Sequence, residues 1–328
     1  MGLVAEIGPL SPQRFTHLEE VNMIIARRKS WSQWTPRRRR NLIKGLLFIS
    51  PWLIGLLLFT VYPIFASLYY SFTEYDVVRP PIAVGFKNYI NIAKDDVFWK
   101  SLYNTIFFVI FGIPGQLSIA FALAVLLNQK IRFRSLFRAI FYIPVLVPVV
   151  ASAFVWRWLF DVRIGLLNFI LGFVGIRPIP WIADPAWAKP SLLLVHFWVC
   201  GGAMIIFLAA LQDVPKSLYD AAKIDGANNW NQFWYVTLPL CTPAILFNSI
   251  MGVIETFQIF SIVWILTKGG PNYATEFYVV YLYRNAFSYF KMGYASALAW
   301  ILSLIILGCV FLLYRTSARW VFYGGEQY

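Results

Sequence analysis

The sequence predicts an all-α polytopic membrane protein with six transmembrane helices. Of its 328 residues 59% are hydrophobic, and only 13% are charged, against roughly 25% in soluble domains. Mean hydropathy is +0.64. Six separate runs are apolar over about 20 residues, the length at which a helix crosses hydrocarbon with every backbone amide paired inside one segment.

The runs cover roughly 46 to 72, 102 to 127, 136 to 160, 190 to 211, 240 to 266 and 295 to 314. Four carry no Lys, Arg, Asp or Glu. The run at 136 to 160 has Arg138 and Arg157 near its ends, where they can snorkel, and that at 240 to 266 has Glu255 near its middle. The chain thus divides into a basic tail (1–45), a membrane domain (46–314) with a polar insertion at 212–239, and a short tail (315–328). A removable secretory signal would set its apolar core in the first 15 to 30 residues. Here the first long run begins near 46, so it reads as a retained anchor.

The net charge of +13 raises the question of nucleic acid, and its location answers it. With connections alternating between two sides, one side carries 17 Lys and Arg against 7 Asp and Glu, the other 11 against 8. Residues 1–45 alone hold nine basic groups, among them Arg37 to Arg40, and Lys130, Arg132, Arg134 and Arg138 cluster in the next connection on that side. The positive-inside rule then puts both termini in the cytoplasm, and the excess lies where anionic headgroups attract it, so no nucleic-acid partner is expected. The stretch from Leu18 to Ala26 reads either as a short surface helix or as a passive lead-in to the arginine block.

Catalytic and metal-binding signatures are missing from the sequence. The only histidines are His17 and His196, neither in a zinc-binding pair, and no glycine loop of the phosphate-cradling type occurs. Cys200, Cys241 and Cys309 lie in or at the ends of apolar runs without disulfide or zinc spacing and read as packing residues. No catalytic residue, metal or cofactor is expected. If the chain does work against a gradient using a nucleotide, hydrolysis occurs on another polypeptide, and a surface must receive the force.

Residues 212–239 fit that need, being too polar to span yet carrying two short helical patterns. In the first, Asp213 can cap, Pro215 suits the opening turn, Leu218, Ala221, Ala222 and Asp225 share a face, and Gly226 supplies the stop. In the second, Asn228 or Asn229 caps, Trp230, Phe233, Trp234 and Thr237 repeat at helical spacing, and Pro239 opens the next span. The small Ala221 and Ala222 admit another backbone, and Asp220, Lys223 and Asp225 beside them suit a protein surface better than lipid. A plain amphipathic connector is the alternative.

The stretch from Asp220, Ala221 and Ala222 through Asp225, Gly226 and Ala227, followed by Phe233 and Thr237-Leu238-Pro239, resembles the "EAA" loop of ABC importer permeases. Asp220 stands where that family most often has Glu, one methylene shorter with the charge kept. Leu266-Thr267-Lys268-Gly269-Gly270-Pro271, with Thr275, resembles the L-T-x-G-G-P segment of sugar-importer permeases. Asn104-Thr105 agrees with it, as does the run from Trp156 through Gly165-Leu166-Leu167-Asn168 to Pro180-Trp181 and Asp184-Pro185. From about residue 100 onward the chain resembles the first permease of maltose, multi-sugar and glycerol-3-phosphate importers. The first hundred residues match loosely, and the extra spans and large external domain of the maltose relative are not reproduced, so maltose itself is not implied.

The resemblance implies the type I ABC importer permease fold in a bacterial or archaeal cytoplasmic membrane, surrounded by lipid. It also implies three partners: a second permease, an ABC ATPase dimer that receives the 212–239 loop as a coupling helix, and an extracytoplasmic solute-binding protein. In that family substrate lies near mid-membrane against the spans flanking the loop. Here those spans present Glu255, Thr256, Gln258 and Ser261 among Phe257, Phe260 and Trp264, and His196 and Trp198 beside Gly201 and Gly202. Such groups suit a sugar's hydroxyls and apolar faces. Packing of the aromatics, pairing of Glu255 within the protein and a core role for His196 are the competing readings. A neutral oligosaccharide, glycerol-3-phosphate and a uronate oligosaccharide all remain open as solute. The rival function is an ion channel or proton-coupled carrier, for which a single mid-span carboxylate is thin provision. A membrane enzyme lacks the residues it would need.

Overall fold

A computed structural model describes residues 36–322, which are helical apart from one two-residue strand pair and the connections. The stretch Leu18 to Ala26 lies outside the described residues. The described residues divide into two units, one up to Phe65 and one from Ala66.

In the first unit α1 (Pro36–Leu56) continues through a π-helical turn at Leu57–Val61. The helix starts ten residues before the apolar run and takes Arg37, Arg39, Arg40 and Lys44 into its first turns. Arginine and lysine are good helix formers, so hydropathy alone marks the start too late. No described side chain between Pro36 and Phe65 is buried.

The second unit holds the remaining membrane helices. After α2 (Tyr62–Ser71), whose last residues fall in it, a hairpin of β1 (Thr73–Glu74) and β2 (Ile82–Ala83) leads to α3 (Lys87–Ala93). α4 (Asp96–Asn128) is an unbroken span capped by Asp95, whose carboxylate accepts from the amides of Val97 (2.9 Å) and Phe98 (3.3 Å). The next three spans are bent. α5 (Arg134–Leu146) meets α6 (Val149–Leu159) at 101°, α8 (Pro185–Trp198) meets α9 (Gly201–Asp213) at 45°, and the segment 229–240 meets α13 (Thr242–Phe257) at 59°. A short α7 (Leu166–Phe173) lies between α6 and α8, and α15 (Tyr278–Tyr283) precedes α16 (Met292–Ser317), the last described helix. Among the described residues three continuous helices are long and apolar enough to cross a membrane, and counting each bent pair as one span gives six, the number the apolar runs predict.

The first of these bends follows directly from sequence. Val147 is extended because Pro148 follows it, and Pro148 begins the next helix without an amide to pair. The run at 240 to 266 requires a correction, because it is not one helix. α13 stops at Phe257, Gln258 caps it, and α14 (Ser261–Leu266) starts anew. α14 packs with α6 in an aromatic and aliphatic cluster around Trp156, Phe160, Val263 and Leu266, apart from the larger core around α4, α9 and α16.

At one end of the bundle the glycine-rich turn is fixed by polar side chains. Lys268 and Gly269 adopt positive φ (50° and 84°), and Thr275 Oγ1 lies 2.7 Å from Thr267 Oγ1 and 2.5 Å from the Gly270 carbonyl. Asn104 donates to the carbonyls of Tyr273 and Glu276, and Thr105 Oγ1 accepts from the Tyr278 amide. Asn168 likewise organises the connection after α6, bonding Ile179 in both directions and accepting from the Trp181 indole.

Candidate functional site

A cavity of about 590 Å³ opens among α4, α6, α8, α9 and α13. Its wall is apolar with a few polar groups at separate points: Gln116, Ser152, His196, Asn248, Glu255 and Thr256. That mixture and volume match small-molecule sites, which run roughly 300 to 1,000 Å³. His196 Nε2 and Thr256 Oγ1 are fully buried behind the wall without a hydrogen-bond partner among the described residues. The His196 ring is held edge-on against Phe108, 5.2 Å between centroids. Glu255 is exposed to the cavity and has no ion pair among the described residues.

Of the sequence-predicted contacts, His196, Glu255 and Thr256 are brought together and two are not. Gln258 sits past the end of α13 outside the lining, and Trp198 turns away to pack T-shaped on Trp156 (5.7 Å). Phe260 and Trp264 stack on each other and both meet Tyr283, Phe260 tilted and Trp264 edge-on. Gln116, Ser152 and Asn248 went unpredicted. Gln116 and Asn248 were detectable as amides inside otherwise apolar spans. Gln116 donates to the carbonyls of His196 (3.3 Å) and Val199 (3.2 Å), satisfying groups freed by the α8–α9 break.

The glycines at that break have unequal duties. A Cβ on Gly201 would overlap the Phe141 carbonyl and lie 3.0 Å from the Tyr142 Cα, whereas Gly202 has open space and faces the cavity. Gly201→Ala should therefore push α5 from α9 and lower stability by about 2 kcal/mol, while Gly202→Ala should be nearly neutral. Thermal unfolding of the two variants in detergent tests the difference.

The polar insertion continues directly from the cavity wall. α9 carries Gly202, Ala203 and Ile206 into the lining and ends at Asp213, so Asp213 finishes a helix instead of capping the next one, which corrects the sequence expectation. The reason is local: Val214 and Pro215 are extended, and Pro215 itself starts α10 (Lys216–Ile224). No residue of α10 is buried, leaving Asp220 and Ala221 exposed. Asp220 lies 3.7 Å from Lys223, a solvated pair that adds little stability.

Gly226 stops the helix in a Schellman arrangement. Its φ is +80°, its amide reaches the Lys223 carbonyl (3.0 Å), and the Ala227 amide reaches Ala222 (2.8 Å). Asn228 then caps α11 (Asn229–Gln232) by accepting from the Asn231 amide at 2.8 Å. A π-helical turn holds Phe233, and Pro239 lies in α12 (Leu238–Leu240). Gln232 bonds the Ala227 carbonyl and Tyr219 pairs with Thr237, so the two arms form one unit. Ile224, Trp230 and Tyr235 are exposed on it.

Bent helices around a solute-sized cavity, with an exposed hairpin continuous with the cavity wall, define a membrane transport component. The family model described as "Binding-protein-dependent transport system inner membrane component" matches residues 116–321, and the chain belongs to that family. It is 40% identical over 294 residues to the probable ABC transporter permease protein YesP of Bacillus subtilis, covering 88% of this chain and 95% of the relative. The lactose transport system permease protein LacF of Rhizobium radiobacter is 34% identical over 283 residues, covering 84% and 94%. The solved structure of a bacterial alginate ABC transporter, in complex with a periplasmic protein that holds an alginate pentasaccharide, contains a chain of the same fold (TM-score 0.76, 20% identity, covering 88% and 97%).

Proposed function

We propose that this chain is one of two permeases of an ATP-driven sugar importer in the cytoplasmic membrane, both termini inside. An extracytoplasmic binding protein delivers the solute, and a pair of ATPase subunits receives the 212–239 hairpin. One observation carries the reading: the hairpin joins two helices that both line the cavity, α9 and α13. Displacing it must tilt both, so a stroke at the hairpin is communicated to the cavity by rigid elements. The chain itself contributes no chemistry to hydrolysis.

The mechanism follows from the separation of roles. Asp220, Ala221, Ala222 and Asp225 present the contact surface, Gly226 and Ala227 set the angle between the arms, and Phe233 and Pro239 join the second arm to α13. Within the cavity, Glu255 and His196 accept and donate to solute hydroxyls with Thr256, Gln116 and Asn248 nearby. The LacF relative supports a carbohydrate solute, and this wall, whose charged group is the Glu255 carboxylate with no Lys or Arg beside it, suits a neutral sugar without naming it.

The test is uptake by cells expressing the whole transporter, with the proton gradient collapsed and ATP maintained. Uptake should persist, and Glu255→Ala should raise KM about tenfold through lost ground-state contacts while ATP hydrolysis stimulated by the loaded binding protein continues. Uptake that stops with the gradient would instead favour the proton-coupled reading.

A further inference from the structure

α5 begins with two arginines on one face. Arg134 and Arg138 stand one turn apart, both half-buried, and the Nε atom of each is buried without a partner. Among the described residues neither has a carboxylate within ion-pair distance. With its amide oxygen turned toward them, Gln212 accepts from both, at 3.1 Å from Arg134 and 2.9 Å from Arg138. Two guanidiniums carry ten N–H donors between them, and a neutral amide oxygen leaves their charge unanswered. The arrangement is short of one anion with several acceptor oxygens.

We propose that Arg134 and Arg138 bind the phosphodiester headgroup of an anionic phospholipid, and that the bound lipid braces the root of the 212–239 hairpin. A phosphodiester offers two unesterified oxygens, which match convergent guanidinium forks. The same helix says why the phosphate belongs to a lipid. Leu136, Ile140 and Ile143 are exposed on the side of α5 turned away from the arginines, an apolar face that sets this helix against lipid, so the arginines in its first turns lie at headgroup level. At the helix start Phe133 is exposed and Arg132 lies over its ring at 5.2 Å, an amphipathic pair typical of the headgroup level. Gln212 is the penultimate residue of α9, so a lipid held by its two partners sits where the cavity wall passes into the hairpin. Nothing in this proposal depends on the transported solute or on nucleotide hydrolysis.

Native mass spectrometry of the transporter, purified with its partner subunits from nanodiscs of equal phosphatidylglycerol and phosphatidylcholine, measures the preference directly. The wild type should retain phosphatidylglycerol over phosphatidylcholine, and R134Q/R138Q should lose about tenfold of that preference. R134K/R138K keeps both charges and should keep most of it, and millimolar inorganic phosphate should not displace the lipid. Unchanged unfolding temperatures in detergent would show that the glutamine variant is folded. Equal retention of the two lipids, full retention by R134Q/R138Q, displacement by free phosphate, or retention only after the partner subunits are stripped away would each overturn the proposal.

Discussion

Arg284→Ala should destabilise the segment 267–291 by roughly 3 to 5 kcal/mol above neutral pH, the cost of breaking a buried ion pair from one side. Glu276 is fully buried, and Arg284 Nη2 lies 3.1 Å from its carboxylate while donating to the Lys268 carbonyl at 2.8 Å. The ion pair supplies the one charge contact to a carboxylate whose oxygens both lack a hydrogen-bond partner. A Cβ on Gly269 would overlap the same carboxylate, so the glycine-rich turn is folded tightly around it. Removing Arg284 takes away the counter-charge and a backbone donor together.

The pH dependence has a definite sign. Burial pushes the Glu276 carboxyl up to about 7 from an ordinary 4.5, although Arg284 pulls it down. Between those two values the folded segment holds a proton that the unfolded one has released. Stability contributed here is therefore complete below pH 4.5 and lost as pH rises toward 7. In Arg284→Ala the carboxyl can escape its isolation by taking up a proton, so the penalty should shrink at pH 5 to 6 and grow toward pH 8. Glu276→Gln should flatten the wild-type slope. Hydrogen exchange of residues 267–291 across pH 5 to 8 checks both, and a pH-independent loss in Arg284→Ala would refute the assignment.

Much of this architecture could be read from residues alone, for identifiable reasons. Lipid demands long apolar helices, so their number and rough places were legible from composition, as were the stop at Gly226 and the cap at Asn228, which rest on local backbone chemistry. Breaks inside spans were harder. Hydropathy cannot distinguish one helix from two collinear with its window, and the stop at Gln258 has neither glycine nor proline to announce it. In the cavity, Glu255 and His196 stood out as polar groups in apolar runs. Trp198 and Gln258 lie outside the cavity lining because helical phase, set by those unseen breaks, decides which side chains face inward. Asn104 and Thr105 were noticed through their family resemblance, but their work of pinning Tyr273, Glu276 and Tyr278 is tertiary and has no local signature.

On the proposed docking of the hairpin to ATPase subunits, Gly226→Trp should reduce solute-stimulated ATP hydrolysis by the assembled transporter at least about tenfold, since overpacking such an interface by 1 to 3 kcal/mol has that consequence. Two properties of Gly226 have to be separated. Its φ of +80° disfavours any side chain, but a Cβ there would meet nothing within 4 Å, so within this chain the space around it is open. Asparagine tolerates the left-handed region and is an accepted helix stop, so Gly226→Asn should keep most of the coupled activity. Gly226→Ala strains the backbone by about 1 kcal/mol without adding bulk and should fall between. If the backbone alone matters, Ala and Trp should be equally impaired; if a partner closes over the turn, Trp should be far worse than Ala. Expression and unfolding temperature should be similar for Ala and Trp, because a side chain at this position leaves the backbone into open space. Full stimulation of Gly226→Trp would mean that the hairpin meets no ATPase, and the lever joining α9 to α13 would have no hand on it.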